Sequence, residues 1–344
     1  MVLTSAIMER YLLCLIRIAV LLPLVSLCGG AVLAQESCSR RTILASVVDR
    51  DWSPIAQLQP NDFLGEYRGK PIKILSLSAD EPPRQIVILL DISGSLGSQQ
   101  LKGPGAWRVG LALASNFAEA KLENIDLALI IFNEKIREKM DFGTGREKIA
   151  ERLRQIGSDP NYEKKNVKGR TALRDAAVAA LELLGQRKQT GAIYAITDGE
   201  DTASVIKEKE LRHRLVERGV RFFVSVVTSS SGNYNRTAEE LQGPDVIPEF
   251  AHSNGGAVLG PVVQAESGIV VPGLDATRNL KIVDALSNFY RTMQNGYRIE
   301  IEFSQAQDKW SPLKFDLSKP LRSRFKGYQL GFTRDISPCD VHSD

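Results

Sequence analysis

The chain contains few of the side chains that form zinc sites, and it has no strong bias of charge. Of its 344 residues only three are histidines, at positions 213, 252 and 342, and their spacing does not match a zinc site. Lysine and arginine total 44 and aspartate and glutamate total 41, which gives a formal net charge of +3. This bias is too small to indicate nucleic acid or an anionic membrane surface as a partner.

Cysteine is also scarce, with four residues in the whole chain. Cys14 and Cys28 lie in an N-terminal apolar region, so only Cys38 and Cys339 remain, near the two ends of the rest of the chain. In an oxidising compartment these two can pair, and we predict a disulfide because both ends are expected to belong to one small domain. The alternative is two free thiols on frayed ends.

An apolar segment near the N-terminus has the pattern of a targeting signal. Ile18–Leu27 is apolar and follows two arginines, and Val32-Leu33-Ala34 fits a signal-peptidase site with cleavage before Gln35. Residues 1–34 are therefore predicted to be a signal peptide, with the protein secreted or located in the periplasm or cell envelope. An uncleaved membrane anchor is the alternative, although Pro23 interrupts the apolar run.

From residue 85 onwards, apolar strand patterns alternate with amphipathic helix patterns. Such alternation predicts a doubly wound α/β domain, in which helices cover both faces of a mostly parallel sheet. The predicted strands are Ile86–Leu90, Asp126–Phe132, Ala192–Thr197, Arg221–Val227 and Ala257–Leu259, with Ile136–Met140 as a hairpin edge. The predicted helices centre on Trp107–Ala118, Arg146–Ile156, Leu173–Leu184, Val205–Arg218 and Ile282–Met293. Residues 228–261 read as one long connection, with a short helix at Thr237–Leu241.

The segments on either side of this region have strand patterns without helical periodicity. They include Thr42–Val48 and Pro71–Leu77 before it, and Tyr297–Phe303, Pro312–Leu317 and Gly327–Phe332 after it. We predict that residues 35–84 and 297–344 together form a small β-domain, with the α/β domain of residues 85–296 inserted between them.

Oxygen-bearing side chains recur where predicted strands and helices begin or end. Asp91, Ser93 and Ser95 directly follow the apolar strand Ile86–Leu90, in the pattern DxSxS. Thr171 lies at the start of a predicted helix, and Asp198 follows the apolar run Ala192–Thr197. Carboxylate and hydroxyl oxygens without nitrogen or sulfur donors suit Mg²⁺ or a similar hard cation.

The order and spacing of these three segments resemble the metal-ion-dependent adhesion site of a von Willebrand factor type A domain. The resemblance implies that Ser93, Ser95 and Thr171 supply hydroxyl oxygens and that Asp91 and Asp198 supply carboxylates. It also implies a bound Mg²⁺, with Mn²⁺ or Ca²⁺ as alternatives, that recognises an Asp or Glu of a protein partner.

The wider chain resembles a group of bacterial secreted proteins with a domain related to von Willebrand factor A. The residues that carry this resemblance are Leu58–Phe63, Tyr297–Phe303 and the pair Gly327-Tyr328.

Each segment also has a purely structural interpretation. Ser93 and Thr171 can cap helices, and Asp198-Gly199 is a common turn pair. Glu200 and Asp201 are predicted to be solvated loop charges, and Asp175 is predicted to interact with the dipole of its own helix.

Two other functions compete with protein binding. Ser95, Asp198 and His252 follow the chain order of an α/β-hydrolase triad, but the nucleophile elbow requires glycine where Ser93 stands. The second competitor is a structural scaffold with a vestigial metal site. We predict a non-enzymatic, metal-dependent binding module.

Overall fold

The structure, a computed structural model, describes residues 39–80, 82–83, 85–97, 105–120, 122–185, 191–228, 246–265, 268–270, 281–304 and 308–339. Its strands are β1 (Arg40–Val48), β2 (Phe63–Tyr67), β3 (Lys70–Pro71), β4 (Lys73–Ala79), β5 (Gln85–Asp91), β6 (Asp126–Phe132), β7 (Ile136–Met140), β8 (Gly191–Thr197), β9 (Arg221–Val227), β10 (Val258–Ala265), β11 (Gly268–Val270), β12 (Tyr297–Glu302), β13 (Ser311–Leu317), β14 (Gln329–Phe332) and β15 (Asp335–Ile336). Its helices are α1 (Ala106–Glu119), α2 (Arg146–Ser158), α3 (Tyr162–Asn166), α4 (Leu173–Leu184), α5 (Glu208–Arg218), α6 (Ile282–Gln294) and α7 (Lys319–Arg324).

A seven-stranded sheet in the order β11-β10-β9-β8-β5-β6-β7 forms the centre of the α/β region. The strands β6, β5, β8, β9 and β10 run parallel, and β7 and β11 are antiparallel at the two edges. The central strand β5 is buried from Ile86 to Asp91, as its continuous apolar run requires in a sheet covered on both faces.

Helices cover both faces of this sheet. The apolar sides of α1, α2 and α6 pack on one face, around Trp107 and Phe289. The apolar sides of α4 and α5 pack on the other, together with Ile247 and Phe250. The predicted doubly wound α/β fold is confirmed.

The two ends of the chain combine in a β unit with a core of its own. Two four-stranded antiparallel sheets have the orders β14-β1-β12-β4 and β15-β13-β2-β3, and each contains strands from both sides of the α/β region. Their apolar faces enclose Ile43, Phe63, Ile299 and Phe315. The prediction of a small β-domain built from N- and C-terminal segments is confirmed.

Buried polar contacts join the β unit to the amino-terminal side of the parallel sheet. Arg221, the first residue of β9, lies 3.7 Å from the carboxylate of Asp80 and donates to the Ser46 hydroxyl at 3.2 Å. The indole nitrogen of Trp52 donates to the carbonyl of Val258 at 2.8 Å. Because these groups are buried, each must be paired across the junction, and this fixes how the two units meet.

The connection predicted for residues 228–261 contains more regular structure than its composition indicated. Residues 246–252 are helical, and β10 continues to Ala265, well beyond the predicted strand end at Leu259. The short helix predicted at Thr237–Leu241 and the signal segment 1–34 lie outside the described residues. Across the part of the chain that is described, no helix is both long and apolar enough to span a bilayer.

Candidate functional site

The three segments predicted to bind metal meet at the carboxyl edge of the parallel sheet. β5 and β8 are neighbours and end there, so Asp91 and Asp198 emerge side by side. The backbone N–H of Gly94 donates to the carbonyl of Gly169 at 2.9 Å, which joins the first segment to the second. The N–H of Thr202 donates to the carbonyl of Thr171 at 2.9 Å, which joins the second to the third. The structure therefore brings all five predicted residues to one place.

The carboxylate of Asp91 is fully buried and held in one orientation. The backbone N–H of Ser93 donates to Oδ1 at 2.8 Å, and the hydroxyl of Thr197 donates to Oδ2 at 2.7 Å. Burial, followed by repulsion from the neighbouring carboxylate of Asp198, raises the pKa of Asp91 from 3.8 to about 7. Without a cation, two buried carboxylates so close together are costly to ionise, and a bound cation would remove this cost.

The hydroxyl groups differ in their access to solvent. Ser93 and Thr171 are each only 1% exposed, whereas Ser95 is half-buried. The Ser93 and Ser95 hydroxyl oxygens are 3.1 Å apart and hydrogen-bonded. Of these three hydroxyl groups, those of Ser93 and Thr171 are therefore buried, and that of Ser95 is the one nearest to solvent.

Two residues that support the site were missed in the sequence. Thr197, the last residue of β8, orients Asp91 as described above. Asn133 is fully buried beyond the end of β6. Its side-chain amide donates to the backbone carbonyl of Lys168 at 2.8 Å, and its backbone carbonyl accepts the N–H of Ala172 at 2.8 Å. Asn133 is the first residue after a buried strand that neighbours β5, a position that could have indicated its role.

Gly169 has a structural requirement for glycine. Its φ is +85°, and a Cβ added there would lie 1.8 Å from a carboxylate oxygen of Glu134. The same carboxylate accepts the N–H of Arg170 at 3.0 Å. The lack of a side chain at residue 169 thus lets Glu134 fix the backbone just before Thr171.

The prediction that Glu200 and Asp201 are solvated was wrong. Glu200 is only 6% exposed, and the Asp201 carboxylate accepts the backbone N–H of Arg174 at 2.8 Å and the hydroxyl of Ser204 at 2.8 Å. The carboxylate of Asp175 accepts the N–H groups of the loop at residues 205 and 206, at 3.0–3.1 Å, so it holds this loop while lying in the first turn of α4. Asp175 and Asp201 therefore anchor loops around the site.

His252 does not join Ser95 and Asp198 in a triad. It precedes β10, which lies three strands from β5 and hence about 14 Å away at about 4.8 Å per strand. Its Nε2 lies 3.1 Å from the side-chain oxygen of Gln329 in the β unit. The arrangement gives no support to the hydrolase interpretation.

The residues present fit a hard, octahedral cation such as Mg²⁺. Two carboxylates and three hydroxyls supply only oxygen, and so few acidic groups leave room for water or another ligand. The described residues contain no cluster of three or more His, Cys, Asp or Glu side chains arranged for a metal. Any metal at this edge would therefore depend on serine and threonine hydroxyls in addition to the two aspartates.

Comparison with known families agrees with this geometry. Residues 86–200 match the family model of the von Willebrand factor type A domain. The matched range contains all five site residues. A search of curated proteins gave no match.

Several solved structures are similar to the chain at low identity. The conserved hypothetical protein BatB from Bacteroides thetaiotaomicron has 19% identity and a TM-score of 0.38, over 53% of this chain and 92% of its own. An aerotolerance-related membrane protein from Bacteroides fragilis has 15% identity and a TM-score of 0.38, over 61% of this chain and 98% of its own. A von Willebrand factor type A protein from Catenulispora acidiphila has 10% identity and a TM-score of 0.37, over 88% and 74%.

Proposed function

We propose that this protein is an exported, Mg²⁺-dependent protein-binding module that recognises an Asp or Glu side chain of a partner. The observation that carries the proposal is the oxygen-rich cluster of Asp91, Ser93, Ser95, Thr171 and Asp198 at the carboxyl edge of the sheet. Ligand sites of open α/β sheets lie at this edge. Von Willebrand factor type A domains are in general interaction modules and not enzymes, which agrees with a binding role.

The chain's own residues would determine both metal binding and access to the metal. Asp91 is held in position by Ser93 and Thr197, so its carboxylate needs no rearrangement to accept a cation. A bound Mg²⁺ would supply a positive charge with a coordination position available to a carboxylate from outside. The half-buried Ser95 marks the side from which such a carboxylate would approach.

Export and domain organisation complete the proposal. Export rests on the signal-like sequence of residues 1–34, and the predicted Cys38–Cys339 disulfide belongs to the same environment. Cys38 lies outside the described residues, so this pairing stays a prediction. We further propose that residues 85–296 carry the binding site and that residues 35–84 and 297–344 form its supporting domain.

Calorimetric titration with Mg²⁺ tests the metal site directly. The wild type is expected to bind Mg²⁺, and Asp91→Ala is expected to abolish binding because it removes a central carboxylate. Asp308→Ala is a matched control, since Asp308 is largely exposed and pairs with Arg68 in the β unit. Equal Mg²⁺ binding by the wild type and Asp91→Ala would refute the metal assignment.

A structural scaffold that has lost metal binding is the competing function. It predicts no Mg²⁺ binding by the wild type, so the same titration separates the two. If Mg²⁺ binds, capture of a partner from envelope extracts that is lost in EDTA would support recognition through the metal.

A further inference from the structure

A small apolar pocket lies directly beside the candidate metal site. Its volume is about 160 Å³, and Gly199, Glu200 and Asp201 are among the residues that line it. Its apolar walls are provided by α4, α5, β9 and the helical residues 246–250, through Leu173, Leu211, Phe222, Val246, Ile247 and Phe250.

The pocket and the metal site are built from the same two segments of chain. Leu173 and Arg174 line the pocket two and three residues after Thr171. Residues 199–201 line it immediately after Asp198. Consecutive Cα atoms are about 3.8 Å apart, so the Cα atoms of residues 199–201 lie at most about 4–11 Å from that of Asp198. An extended ligand spans about 3.3–3.6 Å per residue, so about one to three of its residues cover this distance.

The charges around the pocket already have partners within the protein. The Asp201 carboxylate lies 3.4 Å from the guanidinium of Arg174, and the Glu208 carboxylate lies 3.0 Å from that of Arg212. A charged occupant would have to compete with one of these pairs, whereas an apolar occupant would leave both intact. Val246, at the edge of the walls, is 50% exposed, so an apolar surface is already presented to solvent.

We propose that this pocket is a specificity subsite that accepts a branched aliphatic side chain, such as leucine, one to three residues from the acidic residue of the same partner. The recognised unit is then an acid together with a nearby aliphatic residue in one extended segment. The proposal rests on the function proposed above and deepens it. The volume suits one side chain of this size, and burying the charge of a lysine or arginine against the apolar walls would be costly.

A synthetic peptide array tests the subsite. Each peptide carries one Asp, with Leu, Ser or Lys placed one, two or three residues away on either side, and binding is measured in Mg²⁺ and in EDTA. At the best spacing, Leu is expected to bind about tenfold to a hundredfold more tightly than Ser, the range expected for burying one leucine side chain. Binding is expected to disappear in EDTA.

Two variants of the pocket keep the test independent of folding. Val246→Asn removes apolar surface at a half-exposed position, and Phe250→Trp enlarges a wall residue to fill the space. Both are expected to reduce the preference for Leu to near the level of Ser while Mg²⁺ binding stays unchanged. Val283→Asn is the matched control, because Val283 is 64% exposed on α6 and does not line the pocket.

The outcomes separate the subsite from the function on which it depends. If the wild type did not bind Mg²⁺, the proposed function itself would be overturned. Mg²⁺ binding with no Asp peptide bound would overturn recognition of an acidic residue, and the proposed function with it. Equal binding of Leu and Ser peptides at every spacing, or a Leu preference that both pocket variants retain, would overturn the subsite alone. A preference for Lys over Leu would overturn the subsite as well, because the pocket would then accept a cation in place of an aliphatic side chain.

Discussion

Replacing Asp91 by asparagine should change how the stability of the metal-free protein depends on pH. The pKa of Asp91 is raised from 3.8 to about 7 by burial and by Asp198, so the folded protein holds this proton more tightly than the unfolded chain does. Proton binding by Asp91 therefore contributes to the free energy of unfolding at low pH, and this contribution is lost as the pH rises from about 4 to about 7. At about 1.4 kcal/mol per pKa unit, the full loss is roughly 4 kcal/mol.

Asparagine keeps the shape of the side chain but cannot ionise. Its oxygen can still accept the N–H of Ser93, and its amide can donate to the hydroxyl oxygen of Thr197. In EDTA, Asp91→Asn is therefore expected to be more stable than the wild type at pH 8, by up to roughly 4 kcal/mol, and similar to it at pH 4. Urea denaturation at half-unit steps of pH measures this difference directly.

Comparing the two proteins removes the contribution of other titrating groups. Burial lowers the pKa of His213 and of His252, which makes stability fall towards acidic pH, but this effect is common to both proteins. Mg²⁺ should bind the wild type in competition with the proton on Asp91, with affinity falling about tenfold per pH unit below pH 7. A difference in stability that stays constant between pH 4 and pH 8 would refute the reasoning.

Substitutions at three further places test other parts of the structure. Thr171→Ala should weaken Mg²⁺ binding at least tenfold in calorimetry with little change in urea stability, because the loop contacts of residue 171 use its backbone. Gly169→Ala should destabilise by about 1–3 kcal/mol through its positive φ and the approach of Glu134, and adding Glu134→Ala should restore part of this in urea denaturation. Asp80→Ala should cost about 3–5 kcal/mol because it leaves Arg221 buried without its carboxylate; a loss below 1 kcal/mol would contradict that pairing.

Elements that bury a continuous apolar surface were predictable from the sequence. The strands Asp126–Phe132 and Arg221–Val227 agree with the prediction at both ends, as does the helix Leu173–Leu184. The helix predicted from Val205 begins only at Glu208, because Asp175 holds residues 205 and 206 in a loop. Asp175 belongs to α4, so the apolar periodicity of α5 could not indicate this contact.

The candidate site was likewise predictable where local sequence determines it and not where distant contacts do. The five proposed ligands were found because they occupy fixed offsets in three short motifs. The burial of Glu200 was missed because its surroundings include residues distant in sequence: it lines the same pocket as Ile247 and Phe250, almost fifty residues further along the chain. The role of Thr197 depends on β8 being the neighbour of β5, and local sequence does not specify this order. The role of Asn133 also depends on a neighbouring strand, although its position directly after a buried apolar strand could have indicated it.

The pairing of β1 with β12 has a consequence for the order of folding. Arg40 lies opposite Glu302 in this pair, 262 positions away along the chain. During synthesis from the N-terminus, β1 and β4 cannot find β12 until the whole of the α/β region has been made. The β unit therefore cannot complete its sheets until the α/β region has been synthesised. Until then β1 and β4 lack their shared partner strand and are exposed to any chaperone, protease or neighbouring chain that can bind an open strand edge.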